Sequence, residues 1–136
     1  MSISTFEDLL TAARQQPQPQ RLLFVFATAE LPDGSSPQEA QAFEAGQGGA
    51  LVPLMFVDKT PDEIDSFADL VTESLQFGAK WAMVFAASLS GRNGKAPTSE
   101  EAEAPMQSMV ESIKAGQLGT FIPFDPQGQT VMLNGA

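Results

Sequence analysis

The sequence predicts an α/β fold: about five strands in a mixed, mostly parallel sheet, four flanking helices and a closing C-terminal β-hairpin. Three observations predict it. Apolar stripes at helical spacing alternate along the chain with short apolar runs. The runs at 22–27 and 81–87 are continuous rather than alternating, the pattern of strands buried on both faces. Each helical stretch opens on a Ser or Thr with an acid close behind, the signature of an N-cap. A length of 136 residues suits one domain, residues 1–136, with 1–20 forming an N-terminal helix and a Gln/Pro connector.

The first helix spans Ser4 to about Gln15. Phe6, Leu9, Leu10 and Ala13 form its stripe, and Ser4 with Glu7 matches a capping box. The alternating prolines of 15–20 favour an extended spacer. Arg21 to Thr28 is the first strand. After the turn at Glu30–Gly34, Ser36-Pro37-Gln38-Glu39 starts a short second helix. It dissolves at Gly46-Gln47-Gly48-Gly49. Those glycines follow a helix and open a strand, the reverse of a dinucleotide fingerprint, and so read as a hinge.

Ala50 to Val57 is the second strand. Pro53 has no ladder N–H, which places the strand at an edge or puts an irregularity in it. Thr60-Pro61-Asp62-Glu63 opens the third helix, which runs to about Gly78 with Ile64, Phe67, Ala68, Val71 and Leu75 on one face. Its carboxylates, Asp62, Glu63, Asp65 and Asp69, read as dipole partners and a solvated face rather than a metal set. The third strand is Trp81 to about Ser88, with Trp81, Met83 and Phe85 on one face and Ala82, Val84 and Ala86 on the other. Thr98 and Glu101 cap the fourth helix, Pro105 predicts a break after its first turn, and Gly116 ends it. Residues 120–124 and 130–133 are short strands joined by the turn Asp125-Pro126-Gln127-Gly128.

Composition narrows the chemistry. The net charge of −10, with seven Lys and Arg, disfavours nucleic acid and anionic membrane surfaces. The chain has no Cys, His or Tyr, so thiol nucleophiles, thiolate zinc sites and the usual base near neutral pH are missing. The start of the chain shows no basic or apolar leader, and the apolar runs are far short of the ~20 residues of a membrane helix, so a cytoplasmic protein is expected.

The most site-like stretch is the loop Gly91-Arg92-Asn93-Gly94-Lys95. It joins a strand to a helix, where α/β sheets often bind ligands, and carries two of the seven cations. Arg92, Asn93, Gly94 and Lys95, with Lys59, are the candidate ligand-binding residues. The loop is not a P-loop, because Leu89 and Ala96 stand where that motif needs Gly and Ser or Thr. If the second and third strands run parallel, Asp58-Lys59 and Ser88–Ser90 share one end of the sheet, and a Ser–Lys pair can act as nucleophile and base when the lysine is desolvated. Nothing in the spacing selects that chemistry, and no catalytic, metal or cofactor residue is assigned.

Several stretches carry a resemblance: Arg21–Ala27 with Ala29-Glu30-Leu31-Pro32, Gly48–Met55 with Val57-Asp58-Lys59, Ser90-Gly91-Arg92, and Ala96–Pro105. Together they resemble a family of small proteobacterial proteins labelled "ribonucleotide reductase subunit alpha", over nearly the whole chain. The label implies a large enzyme that works through cysteines. A cysteine-free chain of this length is not that catalytic subunit, and no catalytic residue carries over. The expected function is therefore a non-catalytic binding or regulatory module, with a protein partner or self-association. The alternative is a nucleotide- or phosphometabolite-binding protein or enzyme that uses the Arg92–Lys95 loop.

Overall fold

A computed structural model of the chain describes residues 3–30, 36–38, 41, 50–64, 66–76, 81–115, 117 and 121–131. The sheet is built around β1 (Gln20–Glu30), which pairs with β2 (Ala50–Lys59) on one side and β3 (Met83–Ser90) on the other. β4 (Ile122–Phe124) pairs with β3, and the order is β2-β1-β3-β4. Every one of these pairings is antiparallel.

That corrects the mostly parallel, five-stranded expectation. The continuous apolar run of β1 does report burial on both faces: all six residues from Leu22 to Ala27 are buried. An antiparallel sheet with helices on both sides produces the same pattern, so the run carries no information about direction. Leu22, Phe24 and Phe26 face α1 (Phe6–Arg14) and α2 (Phe67–Leu75). Leu23, Val25 and Ala27 face α3 (Ser99–Lys114). The sheet is thus the middle layer of three.

The helix count also differs from the expected four. Among the described residues three α-helices are complete; Pro37, Gln38 and Gln41 are helical, and the rest of the expected second helix lies outside the described residues. The four buried residues of α1 are the four of its predicted stripe. Its cap sits one residue later than expected. Thr5 accepts from the Asp8 backbone N–H, while the Asp8 carboxylate accepts from Ser4 and Thr5.

The expected third helix splits. Pro61–Glu63 is a single 3-10 turn, Ile64 is extended, and Ser66 caps a new start for α2. A second N-cap residue inside the run outweighs helical continuity. The buried face of α2 is accordingly Phe67, Leu70 and Ser74, with Leu75 exposed. Conversely, α3 does not break: Pro105 sits inside one continuous helix, with Ala102, Met106, Met109, Val110 and Ile113 buried against the sheet. The apolar anchors on either side of Pro105 outweigh the lost backbone bond.

Pro53 behaves as its missing N–H requires. β2 has one sheet neighbour among the described residues, and the register slips so that Leu54 is an extra residue opposite Phe26/Ala27. Trp81 corrects the third-strand reading. It precedes β3 and lies on the α2 side, edge-on to Phe26 and Phe67, with its Nε1–H donated to Ser74 Oγ. The C-terminal turn clasps the start of α1. Thr130 bridges Phe124 and donates its N–H to Ser4, and Phe6 donates to Gly128. Met132 and Leu133 of the expected last strand lie outside the described residues.

Two caps make the fold acid-sensitive. The Ser4 and then the Thr5 backbone N–H groups hold the Asp8 carboxyl below its ordinary range. Glu63 is held down by the Thr60 N–H, then the Thr60 hydroxyl, and further by Arg21 and Lys59. Both groups therefore release their protons more readily in the folded state. Their contribution is complete above the unfolded carboxylate range, about pH 4–4.5, and is lost as pH falls through the folded values below it. In urea titrations between pH 6 and pH 3, the Asp8→Asn/Glu63→Gln double variant should lose less stability than the parent. An equal loss would show that these caps do not set the acid response.

Candidate functional site

The loop after β3 is a tight hairpin. Arg92 and Lys95 exchange both backbone hydrogen bonds, at 3.0 and 2.9 Å, across Asn93 (φ 54) and Gly94 (φ 77). Two successive positive φ values are the type I′ turn that Asn-Gly favours. Gly91 sits where a Cβ would lie 1.9 Å from the Lys95 carbonyl oxygen, so only glycine allows this close return of the chain. The turn is tied to the Gln/Pro connector: Gly91 N–H donates to the Pro19 carbonyl and Gly94 N–H to Gln18 Oε1.

Four amides of the loop are thus already committed, and they do not converge as the amides of a phosphate cradle do. What the loop presents is its side chains. Arg92, Asn93 and Lys95 are exposed, and neither cation has a carboxylate partner among the described residues.

β2 and β3 flank β1 and run in the same direction, so Lys59 and Ser88 do lie at one end of the sheet. Both pair with Leu22, from opposite sides. They are not brought together chemically. Lys59 Nζ is 3.0 Å from Glu73 on α2. The Ser88 hydroxyl donates to Gln20 Oε1, and Ser90 accepts from Gln20 Nε2. Gln20 is buried, so these bonds satisfy a polar group that would otherwise be costly. Lys59 is therefore separated by β1 from the Arg92–Lys95 turn on β3.

The structure adds a cluster that no local spacing reveals. Arg21, on the α3 side of β1, donates from Nε to the Pro97 carbonyl and from one terminal nitrogen to Asp58 Oδ2 at 2.6 Å and Ser99 Oγ at 3.3 Å. Ser99 in turn donates to the same Asp58 oxygen. The cluster pins the start of α3 to β1 and β2. Its members lie 37 to 78 residues from Arg21 in sequence.

This pinning sets a groove of about 600 Å³ between α3 and the edge strand, walled by Phe56 and Asp58 on β2 and by Ser99, Glu103, Met106 and Gln107 on α3. On the other face of β2, toward α2, is a smaller apolar hollow of about 50 Å³ lined by Phe26, Met55, Leu70 and Ser74. Phe56 borders both and is 53% exposed; Leu54, at the bulge, is 38% exposed. From Ala50 to Val57 the strand carries no charge, although the chain has 24 charged residues in all. An apolar run whose strand has one sheet neighbour among the described residues is the type of edge that pairs with another chain.

Among the described residues no group of three or more acids is placed to hold a metal ion, and no helix is long and apolar enough to cross a membrane. Compared with protein-family models, with characterised proteins and with solved structures, the chain has no match.

Proposed function

We propose that this chain is a non-catalytic binding module that recruits a protein partner along the β2 edge. One observation carries the reading: Phe56 stands half exposed on the uncharged Ala50–Val57 run of β2, between a groove on one face and a hollow on the other. Strand addition uses these features, with backbone bonds supplying affinity and pockets for alternate side chains supplying selectivity. The residue inventory supports binding over catalysis, since Cys, His and Tyr are missing and the Ser88 and Ser90 hydroxyls hold Gln20. A cytoplasmic setting suits a module without cysteine. The resemblance to proteins labelled as a reductase subunit supplies no residue role to this proposal.

The test compares the parent with Phe56→Ala by light scattering and by pull-down. Because Phe56 is half exposed, the variant should stay folded, with a melting temperature within a few degrees of the parent. The expected result is a complex formed by the parent and lost by the variant. A strictly monomeric parent with no complex sensitive to Phe56 would sink the reading.

A second reading rests on Arg92 and Lys95, paired across a tight turn with no carboxylate partner among the described residues. Two cations so placed suit a small phosphorylated ligand, held by side chains rather than by backbone amides. Thermal-shift screening against nucleotides and sugar phosphates should then give a stabilisation abolished by Arg92→Ala with Lys95→Ala. A shift that survives both substitutions would remove this turn from the site.

A further inference from the structure

We infer that the occupant of the β2 edge is an extended, cationic and apolar segment of a different protein, not a second copy of this chain. The inference rests on the reading of β2 as a docking edge. A strand added to β2 lies about 4.8 Å from it and so enters the groove beneath α3. Pro53 and the bulge at Leu54 confine a regular ladder to Met55–Lys59, three apolar residues followed by Asp58 and Lys59, whose charges are paired within the chain, so the segment engaged is short. Its side chains on the α3 side meet Phe56 and Met106, which asks for an apolar residue, and then the helix wall.

That wall carries one charge, a carboxylate. Glu103 borders the groove, is exposed and has no basic partner among the described residues. Glu100 and Glu101 precede it on the same helix, outside the groove lining, with the Glu101 carboxylate accepting from the Thr98 N–H of the cap. Among the described residues, Asp58, Glu63 and Glu73 near the edge are matched from within the chain, the first two by Arg21 and the third by Lys59. The charge left over is therefore negative, in a chain of net charge −10. A two-fold pairing of β2 with its own copy would set the Glu103 wall of each protomer toward the other, with like charge on both sides. A segment that alternates apolar residues with Lys or Arg places one kind on Phe56 and the other against Glu103.

The probes are three labelled octapeptides of valine alternating with lysine, serine or glutamate, followed by fluorescence anisotropy with the full chain. The lysine peptide should bind at least about tenfold more tightly than the glutamate peptide at low salt, with the gap narrowing as salt rises. Glu103→Lys should weaken the lysine peptide about three- to fivefold. Glu7→Lys, on α1 across the sheet, should change it far less. Phe56→Ala should weaken every peptide that binds.

If the three peptides bind alike and Phe56→Ala still weakens them, the charge inference falls and the docking edge stands. If none binds, or if Phe56→Ala has no effect, the edge reading itself falls. Equal losses from Glu103→Lys and Glu7→Lys would show general attraction to an acidic protein and overturn the inference. So would a dimer that forms with rising concentration and is lost in Phe56→Ala, which would make the occupant a second copy.

Discussion

Phe6→Ala should cost about 3–5 kcal/mol of folding stability, the range for truncating a fully buried aromatic ring. Phe6 is 1% exposed, and its ring is where four elements meet. It lies 5.6 Å from Phe24 of β1, 4.8 Å from Phe67 of α2 and 5.5 Å from Phe124 of β4, centroid to centroid. Its backbone is held as well, by the bond from its N–H to Gly128 in the C-terminal turn. The neighbours belong to separate stretches of chain, so they cannot close over the gap without shifting the sheet or α2. A domain of this size has about 5–15 kcal/mol in total, so the loss is a large share of it. The melting temperature should fall by about 10–20 °C. Phe6→Leu keeps most of the volume and should cost less than half as much. A loss below 1 kcal/mol for Phe6→Ala, by urea titration with an unchanged slope, would mean that α1 is not part of the cooperative core.

The contrast between Phe6 and Phe56 shows what the sequence could reveal. The stripe Phe6, Leu9, Leu10, Ala13 is periodic, and periodicity announces a buried face. Phe56 sits inside a continuous apolar run, yet it is exposed, because β2 has one sheet neighbour among the described residues and α3 only partly covers it. Pro53 hinted at the edge, through its missing donor. Strand direction was not legible, since the runs of β1 and β3 report burial and not which strand lies beside which. Pairing of Leu22 with both Lys59 and Ser88 is a long-range choice that no window of sequence contains.

The turn after β3 is a different case. Asn93-Gly94 is the dipeptide that favours a type I′ turn, so its hairpin was available from sequence. The two cations at 92 and 95 drew the reading toward an open anion loop, whereas the backbone closes on itself and on Gln18 and Pro19. Likewise Ser66 was available as a second N-cap but stood in the shadow of Thr60-Pro61-Asp62-Glu63. In both places a local signal was present and a stronger neighbour obscured it.

Arg21 had no local signal at all, and its removal should be the second most damaging change. The Arg21 side chain is 14% exposed and that of Asp58 is 26% exposed, so the pair is largely but not wholly removed from water. Arg21→Met keeps the length of the side chain and deletes its donors. Asp58 is then left with only the Ser99 hydroxyl, and the Pro97 carbonyl loses its partner. Removing one member of a fully buried pair costs about 3–5 kcal/mol; the partial exposure of Asp58 reduces this to about 2–3 kcal/mol. Arg21→Lys retains the charge without the planar fork that reaches Pro97 and Asp58 together, and should fall between. Asp58→Asn added to Arg21→Met removes the stranded charge and should restore about 1 kcal/mol, which a double-mutant cycle reads as coupling. The loss should also be local before it is global. Amide exchange in the first turn of α3 should quicken more than in α1, because the cluster is what fastens Ser99 to the sheet. A stability change under 0.5 kcal/mol would reduce the cluster to a surface ion pair. If the proposed edge is the docking surface, Arg21→Met should weaken peptide binding too, since the groove beside Phe56 exists only while α3 is held over β2.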